Sequence, residues 1–263
     1  MESTTDGGRG KAAGSASVFT PVPAGVVSAY PVRSFCSRAT RMSRPVLIIG
    51  NKNYSSWSLR PWLLLRHFGV EFDEVRLLLD TPEFFAEVKR YSPTGKVPAL
   101  WDGDLHVWDS LAICEYANER WLDGRGWPQA REARALARTA ACEMHSGFAA
   151  LRTQLPMNSR RQPDAYRWDE AAQRDIDRVQ ALWGELRARF GGAGDFLCGE
   201  FGIVDAMYAP VAIRFQGYGV LVDAISQAYM QALFALPALR EWRDAGASET
   251  ETVPYTDAVS KPL

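Results

Sequence analysis

The sequence predicts an α/β domain followed by an all-helical domain. Two observations carry this. The apolar strand Val46-Leu47-Ile48-Ile49-Gly50 gives way, through the serine-rich stretch Asn53–Pro61, to an apolar-periodic helix, and strand and helix signals keep alternating to about Trp121. Beyond the glycine-punctuated Leu122–Gly126 the strand signals stop, and everything to about Ala245 reads as helix.

In the first helix Pro61, Leu64, Leu65 and Phe68 recur at i, i+3, i+4 and i+7, and Gly69 ends it. Proline is tolerated in the first turn, where its missing N–H would go unbonded anyway. Pro61 therefore predicts Ser58 as N-cap, with Ser55 and Ser56 ahead of it in the loop. Residues 71–79 read as a second strand, and Thr81-Pro82-Glu83 opens a short helix with a capping residue, a proline and an acid in order. Asp102-Gly103, between the apolar runs Ala99–Trp101 and Leu105–Trp108, signals a hairpin. Pro98 heads the first of these strands, a position where a lost ladder donor is tolerated. Asp109-Ser110 then caps a helix marked by Leu111, Cys114 and Ala117.

After a linker at 122–127, residues 128–156 form one long Ala-rich helix. Residues 168–190 carry Ile176, Val179, Trp183, Leu186 and Phe190 on one face, and helices at 203–217, 222–235 and 237–245 follow. The predicted domains are thus 45–121 and 128–246. Residues 1–42, rich in Gly, Ala, Ser, Thr and Pro, read as a disordered extension upstream of a start at Met42, and 247–263 as a tail over the surface.

Composition excludes several function classes. Thirty Lys+Arg against 31 Asp+Glu leave no cationic excess for a nucleic-acid backbone. Cys36, Cys114, Cys142 and Cys198 lie far apart, with neither CxxC nor metal spacing, so no metal site and no disulfide framework is expected. No apolar run approaches the roughly twenty residues of a membrane helix. These features fit a cytoplasmic protein with no nucleic-acid or membrane partner.

Three hydroxyls crowd the predicted start of the first helix. Such an end presents unpaired N–H groups and about half a positive charge, so it favours an anion.

Four linked features, in order, give that anion an identity by resemblance. They are Ser55-Ser56-Trp57-Ser58 with Arg60 five residues after Ser55, Gly95-Lys96-Val97-Pro98, Asp109-Ser110, and Gly202-Ile203-Val204-Asp205. With them the chain resembles the soluble glutathione S-transferases, its first domain being similar to those of the serine-type and zeta-like members. The resemblance implies a thioredoxin-like βαβαββα domain, an all-α second domain, glutathione as co-substrate and a homodimer. It implies that Ser55, or else Ser56, donates to the glutathione thiolate. Lowering the thiol pKa by two units takes about 2.7 kcal/mol. A charge-assisted hydroxyl supplies about 1.5–3 kcal/mol and a helix N-terminus about 0.3–2 kcal/mol, which suffices without a basic side chain.

By the same resemblance Val97-Pro98 is a cis-proline turn that pairs with the cysteinyl backbone, and Asp109 and Ser110 hold the γ-glutamyl end. Lys96 either touches the glycyl carboxylate or is a solvated turn lysine. Asp205 is structural, although the family usually has Ser or Thr where Gly202 stands. The acceptor pocket is expected to face Ser55 from the long helix, with Met144, His145, Phe148, Arg152 and Met157 as candidates and a small hydrophobic electrophile or peroxide as substrate. Two other readings stay open. Arg152, Arg160 and Arg161 suit a maleylacetoacetate-type cis–trans isomerase acting on dicarboxylates, and the fold also serves non-catalytic binding modules. Serine in the active loop, where thiol chemistry needs cysteine, argues against a dithiol oxidoreductase.

Overall fold

A computed structural model describes residues 44–259 apart from 193. The described residues form one compact unit. The expected extension over 1–42 and the start at Met42 lie outside the described residues.

The first half contains β1 (Val46–Ile49), α1 (Ser56–His67), β2 (Asp73–Arg76), α2 (Pro82–Tyr91), β3 (Ala99–Asp102), β4 (Leu105–Trp108) and α3 (Ser110–Arg120). The sheet order is β2-β1-β3-β4, with β1 parallel to β2 and the other neighbours antiparallel. Alternation along β1 divides the core: Leu47 and Ile49 join the large apolar cluster shared with α1, α3 and the later helices, while Ile48 joins Phe84 and Val88 of α2 on the other face. The second half is helical: α4 (Arg131–Ser146), α5 (Ala149–Gln154), α6 (Glu170–Phe190), α7 (Ile203–Gly217), α8 (Ala224–Ala235), α9 (Pro237–Ser248) and α10 (Pro254–Val259).

Two expectations are corrected. The N-cap of α1 is Ser55, not Ser58, and Pro61 lies inside the helix. Ser58 Oγ is committed elsewhere: it accepts from the Gly50 N–H at 3.2 Å and from the Ser55 hydroxyl at 2.7 Å. Ser55 is left to cap, accepting from the Ser58 N–H at 3.4 Å. The missing Pro61 N–H leaves the Trp57 carbonyl without its i+4 donor.

The single helix expected over 128–156 is two. Gly147 ends α4 at a point where a Cβ would lie 2.7 Å from the Glu143 carbonyl oxygen, and Phe148 turns the chain through a left-handed conformation at φ 56°. Burial of the Phe148 ring and acceptance of the Leu151 N–H by Asp175 hold that turn.

The segment after α9 lies at the surface and is fastened there. Glu249 accepts the Lys52 and Asn53 N–H groups at 2.8 and 2.9 Å, and Asp257 accepts the Tyr54 hydroxyl. Arg160 donates to the carbonyls of Glu249 and Glu251 and to the Tyr54 oxygen.

Gly202 caps α7 where a Cβ would approach the Gly126 carbonyl oxygen to 2.7 Å, which is why no Ser or Thr stands there. Asp205 supplies the buried partners instead, accepting the Gly202 N–H at 2.9 Å and the Leu197 N–H at 3.1 Å. Burial raises its pKa to about 6 even against those donors. Removing the carboxylate strands two buried N–H groups, each costing about 1–3 kcal/mol. Asp205→Ala should therefore lower unfolding free energy by about 2–5 kcal/mol in urea titrations. Because the folded pKa lies above the unfolded one, this group's contribution is full below the unfolded value near 3.8 and is lost as pH rises through about 6. The stability advantage of the parent over Asp205→Asn should accordingly grow by about 1 kcal/mol between pH 7 and pH 5.

Candidate functional site

At the C-terminal end of β1 the chain passes through Asn51–Ser55 into α1, and beside it the turn before β3 and the start of α3 converge. They frame a cavity of about 450 Å³ lined by Trp57, Thr94, Lys96, Val97, Pro98, Trp108, Asp109, Ser110 and His145. The Val97–Pro98 peptide bond is cis.

Asp109 stands at φ 77°, a backbone region that costs an L-residue about 1–3 kcal/mol. Its side chain helps to hold that geometry. Oδ1 accepts the Leu111 and Ala112 N–H groups at 2.9 and 3.2 Å, capping α3, and Oδ2 lies 2.9 Å from His145 Nε2. His145, on the last turn of α4, also meets the Trp57 ring edge-on at 5.4 Å, while its buried Nδ1 has no partner. Ser110 Oγ is likewise buried and unpartnered at the α3 N-terminus. A buried hydroxyl without a partner, on a cavity wall at the positive end of a helix, suits an anionic ligand oxygen.

Five residues expected to hold a ligand, Lys96, Val97, Pro98, Asp109 and Ser110, thus line one cavity with His145. Ser55 and Ser56 do not line it; both are buried at the start of α1, next to Trp57, which does. The Ser55 hydroxyl proton is directed to Ser58 Oγ. Ser56 Oγ accepts from Arg214 Nη2 at 3.2 Å, and its own proton has no acceptor among the described residues.

The other acceptor candidates separate. Met144, Phe148 and Met157 are buried in the main core. Arg152 lines a second cavity of about 290 Å³ with Trp57, Ala149, Thr153, Pro156, Arg214 and Tyr255. Trp57 is the wall common to both cavities. Arg160 and Arg161 are occupied by the C-terminal segment and by Asp164.

Sequence reasoning missed the cationic ground beneath that wall. Arg60 is 1 % exposed, with its guanidinium 3.9 Å from the Trp57 ring and its Nε and Nη1 unpartnered. Burial, with Arg214 and Arg152 nearby, lowers its pKa to about 9, and burial lowers Arg214 to about 10; both remain charged at pH 7. The available signal was Arg214 itself, one cation in the otherwise apolar run Ala209–Phe215.

These placements predict opposite outcomes for two serines. Ser58→Ala strands the buried Gly50 N–H and should cost about 1–3 kcal/mol in urea unfolding, whereas Ser110→Ala removes a hydroxyl that makes no bond and should change stability by less than about 0.5 kcal/mol.

Comparison with known proteins agrees with this architecture. Residues 54–120 match the family Glutathione S-transferase, N-terminal domain, and residues 169–245 match Glutathione S-transferase, C-terminal domain. A dichloromethane dehalogenase of Methylorubrum extorquens is 54 % identical over 37 residues, 14 % of this chain and 12 % of that protein, so the match spans only a small part of that relative's length. Glutathione S-transferase 1 of Dianthus caryophyllus is 28 % identical over 188 residues, 67 % of this chain and 82 % of the relative. The crystal structure of a glutathione transferase homolog from Burkholderia GL BGR1, with bound glutathione, has a TM-score of 0.61 at 21 % identity, covering 79 % of this chain and all of that one, and shares the fold. With a four-stranded α/β half, an all-helical half and both family domains in order, the chain belongs to the glutathione S-transferase family.

Proposed function

We propose that the protein is a cytoplasmic, homodimeric glutathione transferase that binds glutathione in the cavity framed by Pro98, Asp109 and Ser110 and ionises its thiol at the N-terminus of α1. The observation that carries this is the unpartnered, buried Ser110 Oγ beside Asp109 at a helix N-terminus. A γ-glutamyl unit brings a carboxylate, which suits the hydroxyl and the positive end of α3, and an ammonium, which suits the Asp109 carboxylate. Lys96 stands on the same cavity wall, where its ammonium suits the glycyl carboxylate. The free edge of the chain at Val97, ahead of β3, offers backbone groups to the cysteinyl unit between the two ends.

The thiolate then meets a serine hydroxyl. Ser55 gives up its bond to Ser58 in order to donate, whereas the Ser56 proton is uncommitted and its oxygen already accepts from a guanidinium, which makes it the stronger donor. This favours Ser56, with Ser55 as helix cap and second donor. Once ionised, the sulfur attacks an electrophilic carbon, the new C–S bond forms as the leaving group departs with its electron pair, and the thiol proton passes to solvent. The isomerase reading is weakened because Arg160 and Arg161 are held by other partners. With Met144 and Phe148 packed in the core and His145 on the glutathione cavity, Trp57 and Arg152 are left to face the acceptor.

Ultraviolet absorbance of the thiolate against pH tests the reading. Bound glutathione should titrate about two units below free glutathione in the parent. The shift should shrink by about one unit or more in Ser56→Ala and by less in Ser55→Ala. An unshifted parent titration would sink the transferase reading, and loss with Ser55→Ala alone would return the role to that residue.

A further inference from the structure

Three guanidiniums, from Arg60 on α1, Arg152 on α5 and Arg214 on α7, gather behind and beside Trp57. Both Arg60 and Arg152 approach its ring, at 3.9 and 5.4 Å. None of the three forms an ion pair with a carboxylate among the described residues. Arg214 is held by the carbonyls of Arg152 and Leu155 and by Ser56 Oγ. Nε and Nη1 of Arg60 and Nε of Arg152 are buried with no partner. The acidic groups that bear on them are more distant: Asp109 on Arg60 and Asp175 on Arg152. Asp175 is engaged with the Leu151 N–H and Asp109 with the α3 cap.

A buried guanidinium without a counter-charge is costly, and neighbouring cations add to the cost: Arg214 and Arg152 lower the pKa of Arg60, and Arg152 lowers that of Arg214. Carbonyls and a hydroxyl satisfy hydrogen bonds but cancel no charge. A bound anion would cancel it, and the 290 Å³ cavity lined by Arg152 and Arg214 has room for a small one. Its remaining walls are Trp57, Ala149, Thr153, Pro156 and Tyr255, whose rings and apolar side chains suit an organic body attached to the charged group. Trp57 lines both this cavity and the proposed glutathione cavity, which places a ligand seated on the arginines near the proposed thiolate.

We infer that this second cavity is the acceptor site and that it selects a small aromatic or aliphatic electrophile bearing a carboxylate, bound by Arg152 and Arg214 with Arg60 adding positive potential behind them. The acceptor assignment rests on the transferase reading; the carboxylate site does not. The inference replaces the hydrophobic acceptor expected from Met144 and Phe148 with an anionic one.

Calorimetry without glutathione tests the site alone, using 4-nitrobenzoate and its uncharged counterpart 4-nitrobenzamide. The benzoate should bind at least about tenfold more tightly. That preference should collapse toward unity in Arg152→Gln and return in part in Arg152→Lys, with thermal melts of both variants establishing that they are folded. Equal binding of the two probes, or a preference that persists in folded Arg152→Gln, would overturn the carboxylate site.

With glutathione present, the thiolate displaces chloride from 4-chloro-3-nitrobenzoate or 4-chloro-3-nitrobenzamide, forming a C–S bond and releasing Cl⁻. The acceleration over the uncatalysed rate should be at least about tenfold greater for the benzoate. A greater acceleration for the amide would overturn the acceptor assignment. A binding preference with no conjugation of either compound would retain the carboxylate site and count against the transferase reading.

Discussion

One oxygen atom, Ser58 Oγ, joins the end of the first strand to the first turn of α1. It takes the Gly50 N–H, which has left the sheet ladder, and the Ser55 hydroxyl, which has thereby become the helix cap. Both groups are buried, so water cannot substitute for this partner. The angle at which α1 leaves β1, and with it the positions of Ser56, Trp57 and Arg60, is set by that junction. Since α1 packs against the sheet side, α3, α7 and α9, the junction also fixes how the helical half meets the α/β half.

A helix buried on every side must find internal partners for its polar groups. Around α1 most of them do: Trp62 donates to Glu74, which also pairs with Lys52, and Lys52 and Asn53 offer N–H groups to Glu249. Some do not, among them the Ser56 proton, the Ser110 hydroxyl and nitrogens of Arg60 and Arg152. These four residues lie on either side of Trp57, and all of them favour negative charge. Beside two cavities that share Trp57, these electropositive positions suit anions that the chain does not itself provide.

Much of this was legible in sequence because it depends on local chemistry. Thr81-Pro82, Asp102-Gly103 and Asp109-Ser110 each specify a turn or cap through their own side chains, and β1 through α3 follow in the expected order. What could not be read locally was fixed by distant partners. Pro61 argued for a cap at Ser58, but the Gly50 N–H claims that oxygen. An Ala-rich run argued for one helix, but packing of Phe148 and the Asp175 carboxylate stabilise a break after Ser146. The C-terminal segment lacks apolar periodicity and is held by Arg160 and by the N–H groups of Lys52 and Asn53, all far from it in sequence. Arg60 and Arg214 are 154 positions apart, and only the fold brings them to one tryptophan.

The most direct test of this account is a crystal structure of the protein with S-methylglutathione. The account predicts the γ-glutamyl group on Asp109 and Ser110, the cysteinyl backbone beside Val97, and the sulfur at the N-terminus of α1 near Ser56 or Ser55. A tripeptide bound elsewhere, or one in this cavity with its sulfur turned away from both serines, would contradict it.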